Sequence, residues 1–198
     1  RKMNDDVDRC PECQVRAYYT DDFVRVYQAY STTIAQSAVA NGTFVSPPFS
    51  MTRMTWVKPS FLWMMYRSGW GRKDPNQASI LAVDITHEGF QQMLTQGVVS
   101  HFDPDHYVSA KEWQEATETS DIRIQWDPER DIYLNRLSYR TIQIGLRNQA
   151  VEKYCNEWIV NITDITDKVR KIDTCITNGD LDTAYSLLPI EQPYHFAK

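Results

Sequence analysis

The spacing of apolar and polar positions divides the chain into short strands and short helices. Two alternating runs within residues 14–29 flank the polar residues 20–22, which predicts a β-hairpin. A helix is predicted over Thr32–Asn41, because Ser31 is a favoured N-cap residue and Gly42 stands where a C-terminal glycine is common. The chain therefore begins in the order strand, strand, helix.

The same signals predict the remaining elements. Further helices are expected over residues 59–68, 87–96, 110–119, 147–157 and 168–188, the last of them broken at Asn178-Gly179. Strands are expected over residues 80–85, 122–126, 139–146 and 158–162, with a turn over residues 127–130. Because several neighbouring strands are joined by hairpins rather than crossovers, the pattern favours an α+β fold with a mixed, mostly antiparallel sheet and packed helices.

The composition is that of an ordinary globular protein, since 42% of the 198 residues are hydrophobic and 24% are charged. A chain of this length favours one domain. Residues 1–13 are polar, and we expect them to be a loosely held lead-in. Residues 14–198 are expected to form a single α+β domain.

Charge and hydropathy narrow the set of partners. The formal charge of −5 and the pI of about 5.4 give no global basic field for a nucleic acid, although a cluster of cations lies within residues 53–73. No apolar run approaches the ~18 residues needed to cross a bilayer, so a membrane is not an expected partner. The first six residues lack the apolar core of a signal peptide, which predicts an intracellular location, cytoplasmic or nuclear.

Metal chemistry is not favoured. Cys10-Pro-Glu-Cys13 has the spacing of half a zinc site, and Cys155 and Cys175 could complete four ligands. Those two cysteines lie far apart in sequence that is typical of helices, and the histidines show no metal spacing. Reduced thiols and no metal site are therefore predicted.

The segment over residues 53–70 is the strongest candidate for chemistry, because it holds three of the six tryptophans and three cations. On a helix that begins at Pro59, the residues Ser60, Trp63 and Arg67 share one stripe, while Phe61, Met64 and Met65 can face the core. A guanidinium beside aromatic faces suits a phosphate next to a flat heterocycle. The alternative is a core helix whose aromatic side chains simply pack.

Lys58 precedes this helix and has two open roles. It could add a positive charge to an anion site at the helix N-terminus. It could instead be a nucleophile that forms a lysyl adduct, which requires a depressed pKa. The nucleotidyltransferase pattern is not supported, because Glu88-Gly89 is present but the glycine after the lysine and the later Lys-x-Lys element are absent.

Two further positions complete the set of candidates. Glu129 lies in the predicted turn beside Arg130, where it is either a structural ion-pair partner or a general base. On the strand over residues 139–146, Gln143 is expected to face inward with Thr141 and Gly145, and the glycine would let a ligand approach the backbone.

Four strings of the sequence carry a resemblance to a known family. They are Val26-Tyr-Gln-Ala-Tyr30, Met54-Thr-Trp-Val-Lys-Pro-Ser-Phe-Leu-Trp-Met-Met-Tyr-Arg-Ser-Gly-Trp70, Gln125-Trp-Asp-Pro-Glu-Arg130 and Ile142-Gln-Ile-Gly-Leu146. They resemble an uncharacterised family catalogued as domain of unknown function 4291, over about residues 14–172. The family name implies no activity.

A more distant likeness concerns the opening order of strand, Tyr-Gln-Ala-Tyr-Ser, helix and Gly42. It looks like the start of ADP-ribosyltransferase-type folds, whose pocket holds NAD. Gln28 stands where such folds have His or Arg, and the positions available for their catalytic glutamate are Glu129 and Gln143. This resemblance implies a transferase that acts with NAD.

Three hypotheses follow. In the first, the domain is a transferase-like enzyme that binds NAD or another nucleotide or a small phosphorylated ligand. Its ligand-binding residues would be Arg25, Gln28, Lys58, Trp63, Arg67 and Gln143, and its catalytic residues Lys58 and Glu129, with Glu129 assisting bond cleavage at the ribose. In the second, the aromatic side chains stack the bases of a nucleic acid whose phosphates contact Arg53, Lys58, Arg67, Arg72 and Lys73. In the third, the segment is a non-catalytic interaction surface or structural core.

Overall fold

A computed structural model describes residues 12–101 and 103–196. The strands are β1 (Arg16–Ala17), β2 (Val24–Tyr30), β3 (Thr55–Val57), β4 (Ser79–Ile85), β5 (Val98–Val99), β6 (Ile122–Arg130), β7 (Arg136–Leu146), β8 (Ile159–Asp164) and β9 (Gln192–Pro193). The helices are α1 (Thr32–Asn41), α2 (Phe61–Ser68), α3 (His87–Gln96), α4 (Ala110–Thr119), α5 (Gln149–Lys153), α6 (Thr166–Thr177) and α7 (Leu181–Leu187). The predicted lead-in falls almost wholly outside the described residues, as does Cys10.

The strands form three sheets, in the orders β1-β9, β2-β4-β8 and β3-β7-β6-β5. Every pair is antiparallel except β5 with β6, which is parallel. The expected α+β fold with a mixed, mostly antiparallel arrangement of strands is confirmed. In the described part of the chain, no helix is both long enough and apolar enough to span a bilayer.

Capping residues explain where the helices begin and end. The Ser31 side chain accepts a hydrogen bond from Ile34 N, and Gly42 ends α1 in the left-handed region at φ +69°, as predicted. The helix α2 begins two residues later than expected, because Ser60 is its N-cap and accepts from Trp63 N at 3.0 Å. Pro59 therefore precedes the cap instead of occupying the first helical position.

The predicted turn over residues 127–130 is wrong. The strand β6 continues through these residues to Arg130, with a register shift between Pro128 and Arg130, and the turn forms over residues 131–135. There the carboxylate of Asp131 accepts from the backbone N of Tyr133 and Asn135, at 2.9 Å each. The Asp131 side chain stabilises the turn. Pro128 lies within the strand, where a β-bulge accommodates it in the long hairpin.

Two smaller differences concern the C-terminal half. The helix expected over residues 147–157 begins at Gln149 and ends in a π-helical turn, Tyr154–Trp158. The strand expected over residues 158–162 is β8. The last strand, β9, lies near the end of the described chain, after two helices. The break between the last two helices lies at Asn178-Gly179, as predicted.

The core has two parts, one on each face of the β2-β4-β8 sheet. On one face Val26, Leu81 and Val83 pack with residues of α3, β6 and β7. On the other face Tyr27 and Ile80 pack with α2, α6 and α7. The expected inward positions Phe61, Met64 and Met65 are all in this second part. Each such side chain contributes about 1.5–3 kcal/mol through burial, which holds α2 against the sheet.

In the described part of the chain, an isolated bridge joins the edges of the two larger sheets. Tyr27 on β2 and Lys58, the residue after β3, exchange backbone hydrogen bonds at this seam. Because α2 begins three residues after Lys58, the seam brings together β2, β3, β6, β7 and one end of α2.

Candidate functional site

A cavity of about 630 Å³ opens beside this seam, and we call it the seam pocket. Its lining residues are Gln28, Ala29, Tyr30, Met54, Trp56, Lys58, Trp63, Met64, Tyr66, Arg67, Gln77, Gln125, Asp127, Pro128, Arg130, Arg136 and Gln143. The volume lies within the roughly 300–1,000 Å³ typical of small-molecule sites. Its lining combines four cations with one carboxylate, so the pocket is locally basic on an acidic protein.

The seam pocket brings together most of the residues that the sequence selects. Gln28, Lys58, Trp63, Arg67 and Gln143 all line it. The expected stripe on α2 is present in part, since Trp63 and Arg67 face the pocket while the third member acts as the helix cap.

Arg25 is not among the lining residues of the seam pocket, and its predicted role in ligand binding stays a prediction. It is three positions from Gln28 on β2, so the two side chains lie on opposite faces of the strand. The Arg25 guanidinium pairs with the carboxylate of Asp84 at 2.7 and 3.1 Å and lies over the Tyr18 ring, 4.9 Å from its centroid. This ion pair joins β2 to β4.

Glu129 is also not among the lining residues of the seam pocket, and its expected part in bond cleavage at the ribose stays a prediction. Its carboxylate is buried and accepts from Ser60 Oγ at 2.8 Å and from Arg130 N at 2.9 Å. Burial raises the pKa of Glu129, while these two hydrogen bonds oppose the rise. The contact with Ser60 makes Glu129 a support for the N-terminus of α2.

Gly145 does not open the backbone to a ligand, contrary to expectation. A Cβ atom at this position would lie 2.8 Å from Met54 Sδ and 3.0 Å from the Trp56 ring. Both of those side chains line the seam pocket. The glycine is therefore needed so that these two side chains can pack against the strand and form the wall of the pocket.

Lys58 is the most unusual member of the lining. Its residue is only 7% exposed, and among the described residues its Nζ atom makes no hydrogen bond and no ion pair. Burial, with a smaller contribution from Arg67, lowers the pKa of Lys58 to about 8, and Asp127 opposes the shift. A lowered pKa is what a nucleophilic lysine requires, and the nucleophilic role of Lys58 stays a prediction.

An aromatic and cationic group forms another wall. The Arg130 guanidinium lies 3.7 Å from the ring centroid of Tyr66 and 5.8 Å from that of Trp63. Within the described part of the chain, the buried atoms Trp63 Nε1 and Arg130 Nε have no hydrogen-bond acceptor. Buried donors without acceptors are uncommon and costly, which is consistent with a ligand that supplies the acceptors.

A carboxylate held by amides completes the site. Asp127 accepts from Gln143 Nε2 at 2.8 Å and from Gln125 Nε2 at 3.1 Å. Gln28 is engaged differently, because its amide donates to Tyr30 Oη and Trp56 O and accepts from a buried tyrosine. Gln28 thus fixes the residues around it in the pocket lining. Asp127, in contrast, lies beside Lys58.

Sequence reasoning missed Asp127, Arg130 and Arg136 as pocket residues. The predicted turn placed the first two on a surface loop, although the string Gln125-Trp-Asp-Pro-Glu-Arg130 already marked them. On a regular β6, Gln125 and Asp127 share one face opposite Gln143 of β7.

No metal site emerges from the described residues, since they contain no group of three or more His, Cys, Asp and Glu side chains placed to hold an ion. Cys155 is buried, and burial raises the pKa of its thiol to about 11. The sequence-based prediction of reduced thiols stays a prediction.

Comparison with protein families gives one match. The model of a family described as Domain of unknown function (DUF4291) matches residues 14–194. The chain belongs to this family. The match to the DUF4291 family extends the expected region beyond residue 172 and includes every lining residue of the seam pocket. Its description names no activity and gives no support to the likeness to ADP-ribosyltransferases. A comparison with curated proteins found no match.

Proposed function

We propose that the DUF4291 domain binds a nucleotide in the seam pocket and acts on it as a transferase-like enzyme. One observation carries the proposal: Lys58 and Arg67 line the same cavity as the ring of Trp63. Cations beside aromatic faces match a ligand that joins phosphates to a flat heterocycle.

The phosphates would contact the guanidinium groups. Among the described lining residues, Arg67, Arg130 and Arg136 accompany a single carboxylate, that of Asp127. This excess of positive charge neutralises several phosphate charges, and guanidinium groups bind phosphate oxygens through paired hydrogen bonds. NAD and nucleoside triphosphates both fit these requirements.

The heterocycle would lie against the aromatic wall. Trp63 and Tyr66 have ring centroids 5.1 Å apart, and Arg130 covers the Tyr66 ring. The unpaired Trp63 Nε1 can donate to a phosphate or to a base edge. Lys58 then lies within the enclosed part of the site as the candidate reacting group.

A nucleic acid fits the same geometry less well. Of the cations over residues 53–73, Arg53, Arg72 and Lys73 are not lining residues of the seam pocket. Arg72 instead pairs with Asp173 at 3.0 Å. A track of phosphates needs an open row of cations, whereas Lys58 is enclosed.

A thermal-shift screen tests the proposal. Wild-type protein, Lys58→Ala and Arg67→Ala would each be heated with NAD, ATP, GTP and short oligonucleotides, and each shift compared with that variant's own baseline. Lys73→Ala is the control, because Lys73 is an exposed cation in the same segment outside the pocket. We expect a nucleotide to stabilise the wild type and the control but not the other two variants. Stabilisation by no nucleotide would refute the proposal, and stabilisation by oligonucleotides alone would favour the nucleic-acid alternative.

A further inference from the structure

We propose that Lys58 is a nucleophile that takes up the nucleotidyl group of a nucleoside triphosphate. The amine would attack the α-phosphorus and leave a nucleoside monophosphate bound to Nζ. This inference rests on the proposed function, because it assigns a reaction to the same pocket.

The first support is the way in which the fold holds Lys58. Reciprocal backbone hydrogen bonds with Tyr27 fix its main chain at the seam, and Pro59 follows directly. The side chain enters the pocket without a hydrogen bond or ion pair from the rest of the described chain. A buried lysine that serves stability is normally paired, so an enclosed and unpaired amine beside a cavity is better placed to react than to stabilise.

The second support is the set of charges around the amine. Arg67 lies near enough to disfavour the protonated form of Lys58, and burial acts in the same direction. A substantial fraction of the amine is therefore neutral near pH 8, and only the neutral amine has the lone pair that attacks. The guanidinium groups stay charged throughout.

The step balances within the pocket. An Nζ–P bond forms, the bond from the α-phosphorus to the oxygen of the β-phosphate breaks, and pyrophosphate leaves with the electron pair. The proton lost from Nζ passes to Asp127, whose carboxylate is oriented by the amides of Gln125 and Gln143. The departing pyrophosphate is neutralised by arginine side chains of the lining and by the divalent cation that accompanies the triphosphate.

The number of cations favours attack at the α-phosphorus over attack at the γ-phosphorus. Besides Lys58, three arginines line the pocket: Arg67, Arg130 and Arg136. The leaving group of an α-attack is pyrophosphate, which can carry one more negative charge than the nucleoside diphosphate that leaves in a γ-attack, because neither of its phosphates is esterified. Three guanidinium groups suit a leaving group of that charge.

The test is covalent labelling of the full chain. Protein would be incubated with magnesium and each of the four ribonucleoside triphosphates, labelled at either the α- or the γ-phosphate, then denatured and separated on a gel. We expect label from one or more α-labelled nucleotides and none from γ-labelled ones, with peptide mass spectrometry placing it on Lys58. Lys58→Arg keeps the positive charge but should lose the label, whereas Lys73→Arg should be labelled like the wild type. Asp127→Asn should slow labelling at least about tenfold.

The outcomes separate this inference from the proposed function. If a triphosphate stabilises the protein in the thermal-shift screen but no α-label is retained, nucleotide binding stands and the nucleophilic role of Lys58 is wrong. Label that maps to another residue, or that survives in Lys58→Arg, also overturns the inference. If triphosphates neither stabilise nor label the protein, the proposed function fails as well for this ligand class.

Discussion

Tyr27 and Lys58 exchange two backbone hydrogen bonds, from Tyr27 N to Lys58 O at 2.7 Å and from Lys58 N to Tyr27 O at 3.3 Å. This bridge is where the edges of the β2-β4-β8 and β3-β7-β6-β5 sheets meet. A buried cation at such a junction is costly for stability, since burial disfavours its charged form. Its presence beside a cavity points to function, and several measurements follow from that position.

Replacing Lys58 by Met should stabilise the protein at neutral pH. The depression of the Lys58 pKa to about 8 corresponds to a burial penalty of roughly 3 kcal/mol, and an apolar side chain of similar length removes it. We expect a gain of about 1–3 kcal/mol in the free energy of unfolding, measured in urea at pH 7. The control Lys73→Met should change this quantity by less than about 0.5 kcal/mol. A loss of stability in Lys58→Met would show that the amine is paired in the native state.

The same variant gives a pH dependence with a defined sign. Between pH 8 and the unfolded value of 10.5, the native state binds fewer protons at Lys58 than the unfolded state. The stability of the wild type should therefore rise relative to Lys58→Met over this range, and the gap between them should close. Urea titrations at several pH values would measure the gap. A gap that stays constant from pH 7 to 10.5 contradicts the depressed pKa.

Glu191 should make the free energy of unfolding fall as pH rises, over a lower pH range than the one in which Lys58 acts. Its carboxyl accepts from Phe61 N at 2.8 Å, and burial raises its pKa from 4.5 to about 8. Between those values the unfolded state loses the proton first, so stability is present at low pH and is lost as pH rises towards 8. Glu191→Gln should flatten this part of the profile, whereas the exposed Glu115→Gln should not. An unchanged slope in Glu191→Gln would rule out this group as the source.

Glu129 should affect stability more than binding. Glu129→Ala leaves Ser60 Oγ and Arg130 N without their acceptor and should cost about 1–3 kcal/mol in urea unfolding. Glu129→Gln keeps an acceptor and should retain the nucleotide-induced thermal shift of the wild type. Loss of that shift in a folded Glu129→Gln variant would return Glu129 to the catalytic role that the sequence suggested.

Replacing Arg25 by Ala should lower stability, whereas replacing Arg67 by Ala should lower nucleotide affinity. Arg25→Ala leaves the carboxylate of Asp84 unpaired and should lower the free energy of unfolding by about 1–3 kcal/mol, with little change in nucleotide affinity. Arg67 is exposed and lines the pocket, so Arg67→Ala should leave stability within about 0.5 kcal/mol and weaken binding. Urea unfolding and calorimetric titration of both variants would check the contrast. Equal losses of affinity would place Arg25 in the site after all.

Sequence signals predict the helix bounds correctly where residues close in sequence determine the structure. The bounds of α1, α3 and α4 are as predicted, because a capping side chain and a terminating backbone conformation lie within a few residues of each end. The turn was misplaced because Pro128 is a strong local turn signal, whereas the long pairing of β6 with β7 is a non-local interaction.

The same distinction holds for the candidate site. Lys58, Trp63 and Arg67 are close in sequence and could be selected from one helical pattern. Asp127 enters the pocket only through the register of β6 against β7, which the sequence of neither strand reveals alone. Gly145 was recognised as a place of close approach, but what approaches it is Met54 and Trp56.

The most direct test of the central claim is a calorimetric titration of nucleotide into wild-type protein, Arg67→Ala and the control Lys73→Ala at one salt concentration. We predict that at least one nucleotide binds, and that only Arg67→Ala weakens this binding by about tenfold or more. Equal affinities in all three proteins, or no binding to the wild type by any nucleotide tested, would contradict the claim that the seam pocket is a nucleotide site.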